Sequence, residues 1–351
     1  MSEDALVLDR PQNRSLRKEC MASVVTSTVT TPHPAAAHAV KPVQLAVKPV
    51  EAAAETVSAR SHWAADLLEL TKPRIVTMIL IVTTMAAVVA AGRDLQFLPL
   101  LHLILGTALV AGSAGVLNQV LEKQLDGSMA RTRFRPLPDE RMGRTLATLY
   151  GMALIVVGTA YLSLTVGAIP AALGVATWLL YVAVYTPLKT RTPWNTTVGA
   201  IAGALPMLMG YTAAGGSLGD VHGWLLFGVL LWWQYPHFMA IAWMYRYDYG
   251  AAGLRMTSVV DPSGRSSGRQ AVWGSALLML TLVALVVPVT WGPSVWGWIA
   301  AVAMVAVTAK FLVTSCQFAR QPDDITARRL LRASLVQLPA AMIVLVLTAL
   351  V

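Results

Sequence analysis

Residues 118–138 carry the pattern NxxxExxxDxxMxRTxxRPLP, and its polar members suit one piece of chemistry. Asn118, Glu122 and Asp126 recur every four residues, so on a helix they form a single stripe of oxygen donors. Magnesium prefers such hard donors; it takes one or two carboxylates and completes its shell with phosphate oxygens. Arg131, Arg133 and Arg135 follow at once, and guanidiniums grip phosphate in fork geometry. Pro136 and Pro138 stop the helix and shape the loop behind it. Ordinary positive flanks of a membrane helix would account for the arginines but not for the acids.

Two further stretches bear polar groups. TPLKxRTxxNTxxG at 186–199 offers Lys189 and Arg191, which either reach the same phosphates or serve as topology signals. WQxPHFxAIAWxYRxDYxxAGxxM at 233–256 contains Asp248, the only acid between Asp220 and Asp261, placed to complete a second cation site facing Asp126. Gln234 and His237 lie one to two turns deeper, where polar side chains need partners. They are either hydrogen-bonded structure or contacts to a large flat aromatic substrate or its metal. Trp233 and its aromatic neighbours fit that second role or an interfacial belt. Asp261 to Arg265 reads as a turn.

What must position these groups is a membrane domain. Of 351 residues, 56% are hydrophobic and 13% charged, and the mean hydropathy is +0.60, too apolar for a soluble domain of this size. Apolar runs long enough to span a bilayer fall near 75–92, 97–117, 145–165, 168–186, 196–215, 223–243, 272–290, 294–315 and 331–351, predicting an all-α polytopic protein of about nine transmembrane helices. With a cytoplasmic N-terminus, 26 of the 27 Lys and Arg residues fall on the inner side and only Arg93 outside. The long inner connections, 119–144 and 244–271, hold the chemistry; they follow the second and sixth helices, which hints at two related halves. The net charge of +9 then reflects topology and anionic lipid, not nucleic acid. Residues 1–60, rich in Ala, Val, Thr, Ser and Pro, read as a disordered cytoplasmic tail, and 61–351 as the membrane domain. Acids near the start speak against a mitochondrial transit peptide and for a bacterial inner membrane. Cys20 and Cys316 are plain thiols without metal spacing.

Taken in order and at matching topology, the three patterns resemble the UbiA superfamily of intramembrane prenyltransferases, and within it the branch that acts on haem. The resemblance runs from about Lys72 to the loop after the sixth helix. It implies a helical bundle around a lateral, membrane-open cavity capped on the cytoplasmic side. By resemblance, Asn118, Glu122 and Asp126 form one arm of a site for one or two Mg2+ ions and Asp248 contributes the other. Arg131, Arg135, Lys189 and Arg191 hold the diphosphate of farnesyl diphosphate. His237, with Gln234 and Trp233, contacts haem B, whose vinyl group accepts the farnesyl chain with addition of water to give haem O. A haem A synthase or an oxidase assembly factor is the implied partner beyond the lipid bilayer.

Three other readings compete. A relative acting on an aromatic quinone precursor would use the same diphosphate machinery, but the WQxPHF segment favours haem. A secondary transporter would need charges at the bilayer midplane, whereas these acids cluster at one face. A non-catalytic haem-binding assembly factor would yield no product that depends on magnesium and prenyl diphosphate.

Overall fold

The apolar runs become helices in the computed structural model, which describes residues 63–286 and 295–350; among these residues no strand occurs. After α1 (63–70) come α2 (Pro73–Ala91), α3 (Phe97–Ser128), α4 (Arg144–Thr165), α5 (Ala168–Leu179), α6 (Thr186–Leu188), α7 (Asn195–Ala213), α8 (Val221–Met244), α9 (Arg246–Ala251), α10 (Thr257–Val260), α11 (Arg265–Val286), α12 (Val295–Arg320) and α13 (Asp324–Leu350). The tail expected over 1–60, Cys20 and the connection at Gly292 lie outside the described residues. Asp261 forms the expected turn, its carboxylate accepting the Ser263 and Ser266 amides at 3.1 and 2.7 Å just before α11.

Two groups of helices pack side by side. α3, α4 and α5 form one, α8, α11, α12 and α13 the other, and α2 and α7 lie between and touch both. Large apolar side chains such as Leu149 and Val156 on α4, Leu280 on α11, Val302 on α12 and Val336 on α13 point outward, which only a lipid surround makes favourable over so many positions.

Among the described residues eight helices are long and apolar enough to cross a membrane, one fewer than the nine expected. The missing one is α7. It is a 19-residue helix as predicted, but it opens with Asn195 and Thr196 and carries Pro206 and several Gly and Ala residues. Its composition follows from its place. Most of α7 is buried against α2, α5 and α8, so it faces protein rather than lipid, and small residues let neighbouring backbones approach. At Gly210 a Cβ would sit 2.0 Å from the Thr83 carbonyl oxygen of α2, so any other residue there would push the two helices apart.

Candidate functional site

The donor stripe forms because α3 does not stop at the end of its apolar run near residue 117; it continues as one 32-residue helix to Ser128. Asn118, Glu122 and Asp126 therefore share a face, and that face is turned inward: their exposures are 0%, 7% and 1%. Buried carboxylates require partners. Lys189 Nζ donates to Glu122 Oε1 at 2.6 Å, and Arg135 Nη1 to Asp126 Oδ2 at 2.7 Å. Asn118 Oδ1 accepts from Lys72 Nζ, while its amide nitrogen donates to Thr186 Oγ1 at 2.9 Å.

Each cation is delivered by a distinct device. Arg135 sits in the loop after α3, whose return is fixed by Thr132 Oγ1 donating to the Asp126 carbonyl at 2.8 Å. Arg141 clamps that loop to α1: it pairs with Asp66, with Glu69 at 3.5 Å and Asp139 at 3.1 Å, and donates to the Phe134 carbonyl at 2.9 Å. Lys189 follows a π-helical turn, Leu180–Tyr185, in which Thr186 Oγ1 reaches back five residues to the Tyr181 carbonyl at 2.8 Å. Such turns are rare and gather at functional sites. The same turn puts the Tyr185 ring 4.6 Å from the Lys189 ammonium.

Lys72 is the group that sequence reasoning missed. It caps α2 with a left-handed backbone, φ 56° and ψ 61°, a conformation that costs a non-glycine residue about 1–3 kcal/mol. The corner is over-determined: Gln119 Nε2 of α3 donates to the Leu70 carbonyl at 2.9 Å. The Thr71 carbonyl oxygen lies so close to Gly115 that a Cβ there would be 2.7 Å away. In the sequence Lys72 looks like one more basic flank; its one signal is a lysine placed directly before a proline that starts an apolar helix.

These side chains enclose a cavity of about 190 Å³ at the N-terminal end of α2 and the C-terminal end of α3, lined by Lys72, Arg131, Arg135 and Lys189, by Glu122 and Asp126, and by Tyr185 and Tyr249. Four cations face two carboxylates, so the cavity carries a surplus of positive charge that suits a polyanion. The Arg131 guanidinium lies 4.9 Å from the Tyr245 ring centroid. Burial, reinforced by Lys189, pulls the Lys72 pKa down to about 7. Burial opposes the charge of Lys189 too, but Tyr185 and Glu122 beside it outweigh that and hold its pKa above the usual lysine value. Burial raises the Tyr249 hydroxyl.

Glu122, Asp126, Arg131, Arg135 and Lys189 thus converge on the cavity; Asn118 stands one turn behind Glu122, bonded to the lining residue Lys72, and the remaining expected residues do not line the cavity. Arg191 is exposed, and so is Asp248, on α9. Gln234 is buried between helices, its amide donating to the Ala200 carbonyl of α7 at 2.9 Å and to the Leu230 carbonyl at 3.1 Å. The Trp233 indole donates to the Ser334 carbonyl of α13 at 3.0 Å, and half-buried His237 meets Ser334 Oγ through Nδ1 at 2.8 Å. Among the described residues no three His, Cys, Asp or Glu side chains gather as a self-sufficient metal cage. Two carboxylates and an amide are instead the partial donor set that fits a magnesium ion sharing its shell with phosphate. A somewhat larger cavity, about 230 Å³, lies at the opposite ends of α2 and α3, but Asp94 is its only charged lining residue and it offers no matching chemistry.

The UbiA prenyltransferase family model matches residues 79–344. The chain is 49% identical over 290 residues to a protoheme IX farnesyltransferase of Rhodopirellula baltica, covering 81% of this chain and 99% of that one. It is 41% identical over 286 residues to the protoheme IX farnesyltransferase of Solibacter usitatus, with 78% and 95% covered. Among solved structures, one of a digeranylgeranylglyceryl phosphate synthase superposes with a TM-score of 0.67 at 14% identity, covering 82% of this chain and 98% of that one. A UbiA homolog from Archaeoglobus fulgidus bound to GPP and Mg2+ gives 0.59 at 13% identity, with 80% and 99% covered. At such identities the structural likeness speaks for the fold alone.

Proposed function

The chain belongs to the UbiA prenyltransferase family, and from that premise we propose that it transfers a farnesyl group from farnesyl diphosphate to a vinyl group of haem B, with addition of water, to give haem O. The observation that carries the chemistry is the buried stripe of Glu122 and Asp126 with its ring of four cations. Asn118, Glu122 and Asp126 would hold magnesium, as the donor set fits, and when bound it would supply the charge neutralisation that makes diphosphate a leaving group. Lys72, Arg131, Arg135 and Lys189 grip the remaining oxygens and take up the charge that develops as the allylic C–O bond breaks. Asp248 and Arg191, exposed on the flanking connections, complete these contacts from the solvent side. The vinyl π electrons form the new C–C bond with the allylic cation. Water then captures the cation left beside the porphyrin and loses a proton. Aromatic walls such as Tyr185 and Tyr249 stabilise cationic character and keep bulk water from the allylic centre. His237, with Trp233 and Gln234 around it on α8, is the contact for haem.

The protein sits in the bacterial inner membrane with N-terminus and cavity on the cytoplasmic side, and hands its product to a haem A synthase or an oxidase assembly factor. Purified protein incubated with haem B, farnesyl diphosphate and magnesium should yield a haem heavier by one farnesyl group plus water by mass spectrometry, and EDTA should abolish it. Diphosphate release with haem B unchanged would overturn the acceptor and leave the prenyl chemistry standing.

A further inference from the structure

His237 is held in a way that a merely space-filling histidine would not need. Ser334, fully buried on α13, places its Oγ 2.6 Å from the Leu331 carbonyl of its own helix and 2.8 Å from His237 Nδ1. A hydroxyl has one proton. At 2.6 Å two oxygens attract only if that proton lies between them, so Ser334 donates to Leu331 and accepts from His237. The hydrogen-bond chain therefore fixes the imidazole as the Nδ1–H tautomer, with its lone pair on Nε2. Nε2 has no hydrogen-bond partner among the described residues.

Orientation is fixed as firmly as tautomer. The ring stacks on Trp233 with centroids 4.5 Å apart and planes 21° from parallel, and the Trp233 indole donates to the backbone carbonyl of Ser334 at 3.0 Å. One residue of α13 thus anchors both rings of α8. A histidine with Nδ1–H bonded to a protein oxygen, Nε2 bare and its plane clamped is the arrangement in which imidazole serves as a metal ligand.

Resting on the haem reading above, we propose that Nε2 of His237 ligates the iron of the haem substrate and that Ser334 is the positioning residue that presents it. The ligand bond would fix the porphyrin against α8 and α13, which governs which vinyl group meets the farnesyl chain.

The test uses full-length protein in lipid nanodiscs with two probes, ferric haem B and metal-free protoporphyrin IX, which share a ring but not the iron. His237→Ala should remove the nitrogen-ligand signature from the haem absorption and electron paramagnetic resonance spectra, and lower affinity for haem B but not for protoporphyrin IX. Ser334→Ala should weaken haem B binding about tenfold, with Ser334→Thr restoring it through the retained hydroxyl. An unchanged haem spectrum in His237→Ala, or a parallel loss of both probes, overturns the ligand assignment and leaves a packing role. Failure of the wild-type protein to bind haem B, while it still releases diphosphate from farnesyl diphosphate, instead overturns the haem reading on which the proposal rests.

Discussion

The ends of α3 and α8 start from similar raw material, an acidic motif at or just beyond the close of a long helix, and use it differently. At the end of α3 the acids are buried and paired: Glu122 with Lys189, Asp126 with Arg135. After α8 the acid, Asp248, is exposed, and the connection presents Tyr249 and Met256 to the cavity instead. Arg246, two residues before Asp248, pairs with Asp324 at the start of α13 at 2.7 Å. One end carries the charge and the other a largely apolar cover of Tyr249, Leu254 and Met256. The difference teaches that a motif's position on a helix decides its work. Asp126 lies on a helix that continues through the membrane boundary and stays packed; Asp248 lies on a six-residue helix of its own, set free by the break at Tyr245.

The sharpest way to break this contrast is Asp126→Asn. Loss of one carboxylate from the donor set should cut turnover by about a hundredfold or more while the circular dichroism and melting profile persist; near-normal turnover would remove Asp126 from the metal site. Asp248→Asn should do less: about tenfold at saturating magnesium, on the scale of one lost charge-assisted contact, with a raised magnesium requirement. A defect as deep as that of Asp126→Asn would mean that the exposed arm is as essential as the buried one.

Lys72→Met sharpens the contrast from the charged side. Prenyl diphosphate affinity should fall about tenfold, the worth of one hydrogen bond to a charged group. It should also alter the pH response. The folded pKa of Lys72, about 7, lies below its ordinary value near 10.4, so between those values the unfolded chain binds more protons. The cost of holding the ammonium is then fully present below pH 7, and stability rises with pH through that window. Thermal unfolding should show a smaller gain from pH 7 to pH 9 in Lys72→Met than in the wild type; equal gains would place the lysine in water. The smallest effect on turnover belongs to Arg141→Ala. Two of its acidic partners, Glu69 and Asp139, are exposed but Asp66 is buried, so the change strands a buried carboxylate and stability should drop by about 3 kcal/mol, with KM for farnesyl diphosphate rising more than kcat falls because the loop bearing Arg131 and Arg135 loses its anchor.

The helices and the stripe were legible because both depend on short-range pattern: an apolar run sets a helix, and a four-residue spacing sets a face. Lys189 was legible because its neighbours are arranged as a motif. Lys72 was not, since its role depends on a left-handed backbone and a corner packed on Gly115, neither of which leaves a local trace. The shortfall of α7 has the same origin. Hydropathy reports contact with lipid, and a helix wrapped by other helices escapes that constraint. Gln234 read as a polar group in need of a partner, which was correct, but that the Ala200 carbonyl on α7 supplies it is long-range information. Asp248 was expected to face Asp126 because the motif order suggests symmetry; the short helix that carries it turns the acid to solvent.

The π-helical turn before Lys189 also works as a register counter. It holds one residue more than an α-helical turn would need between the same two levels, and side chains after it are rotated accordingly, about 100° per residue. Deleting one residue within 181–184 would let the segment relax into a regular helix, keeping every hydrophobic contact above it and dialling Lys189 off Glu122. Such a chain should fold, insert and melt normally yet bind prenyl diphosphate poorly by equilibrium titration, so that chain length alone, with no change of a charged residue, switches the cavity off.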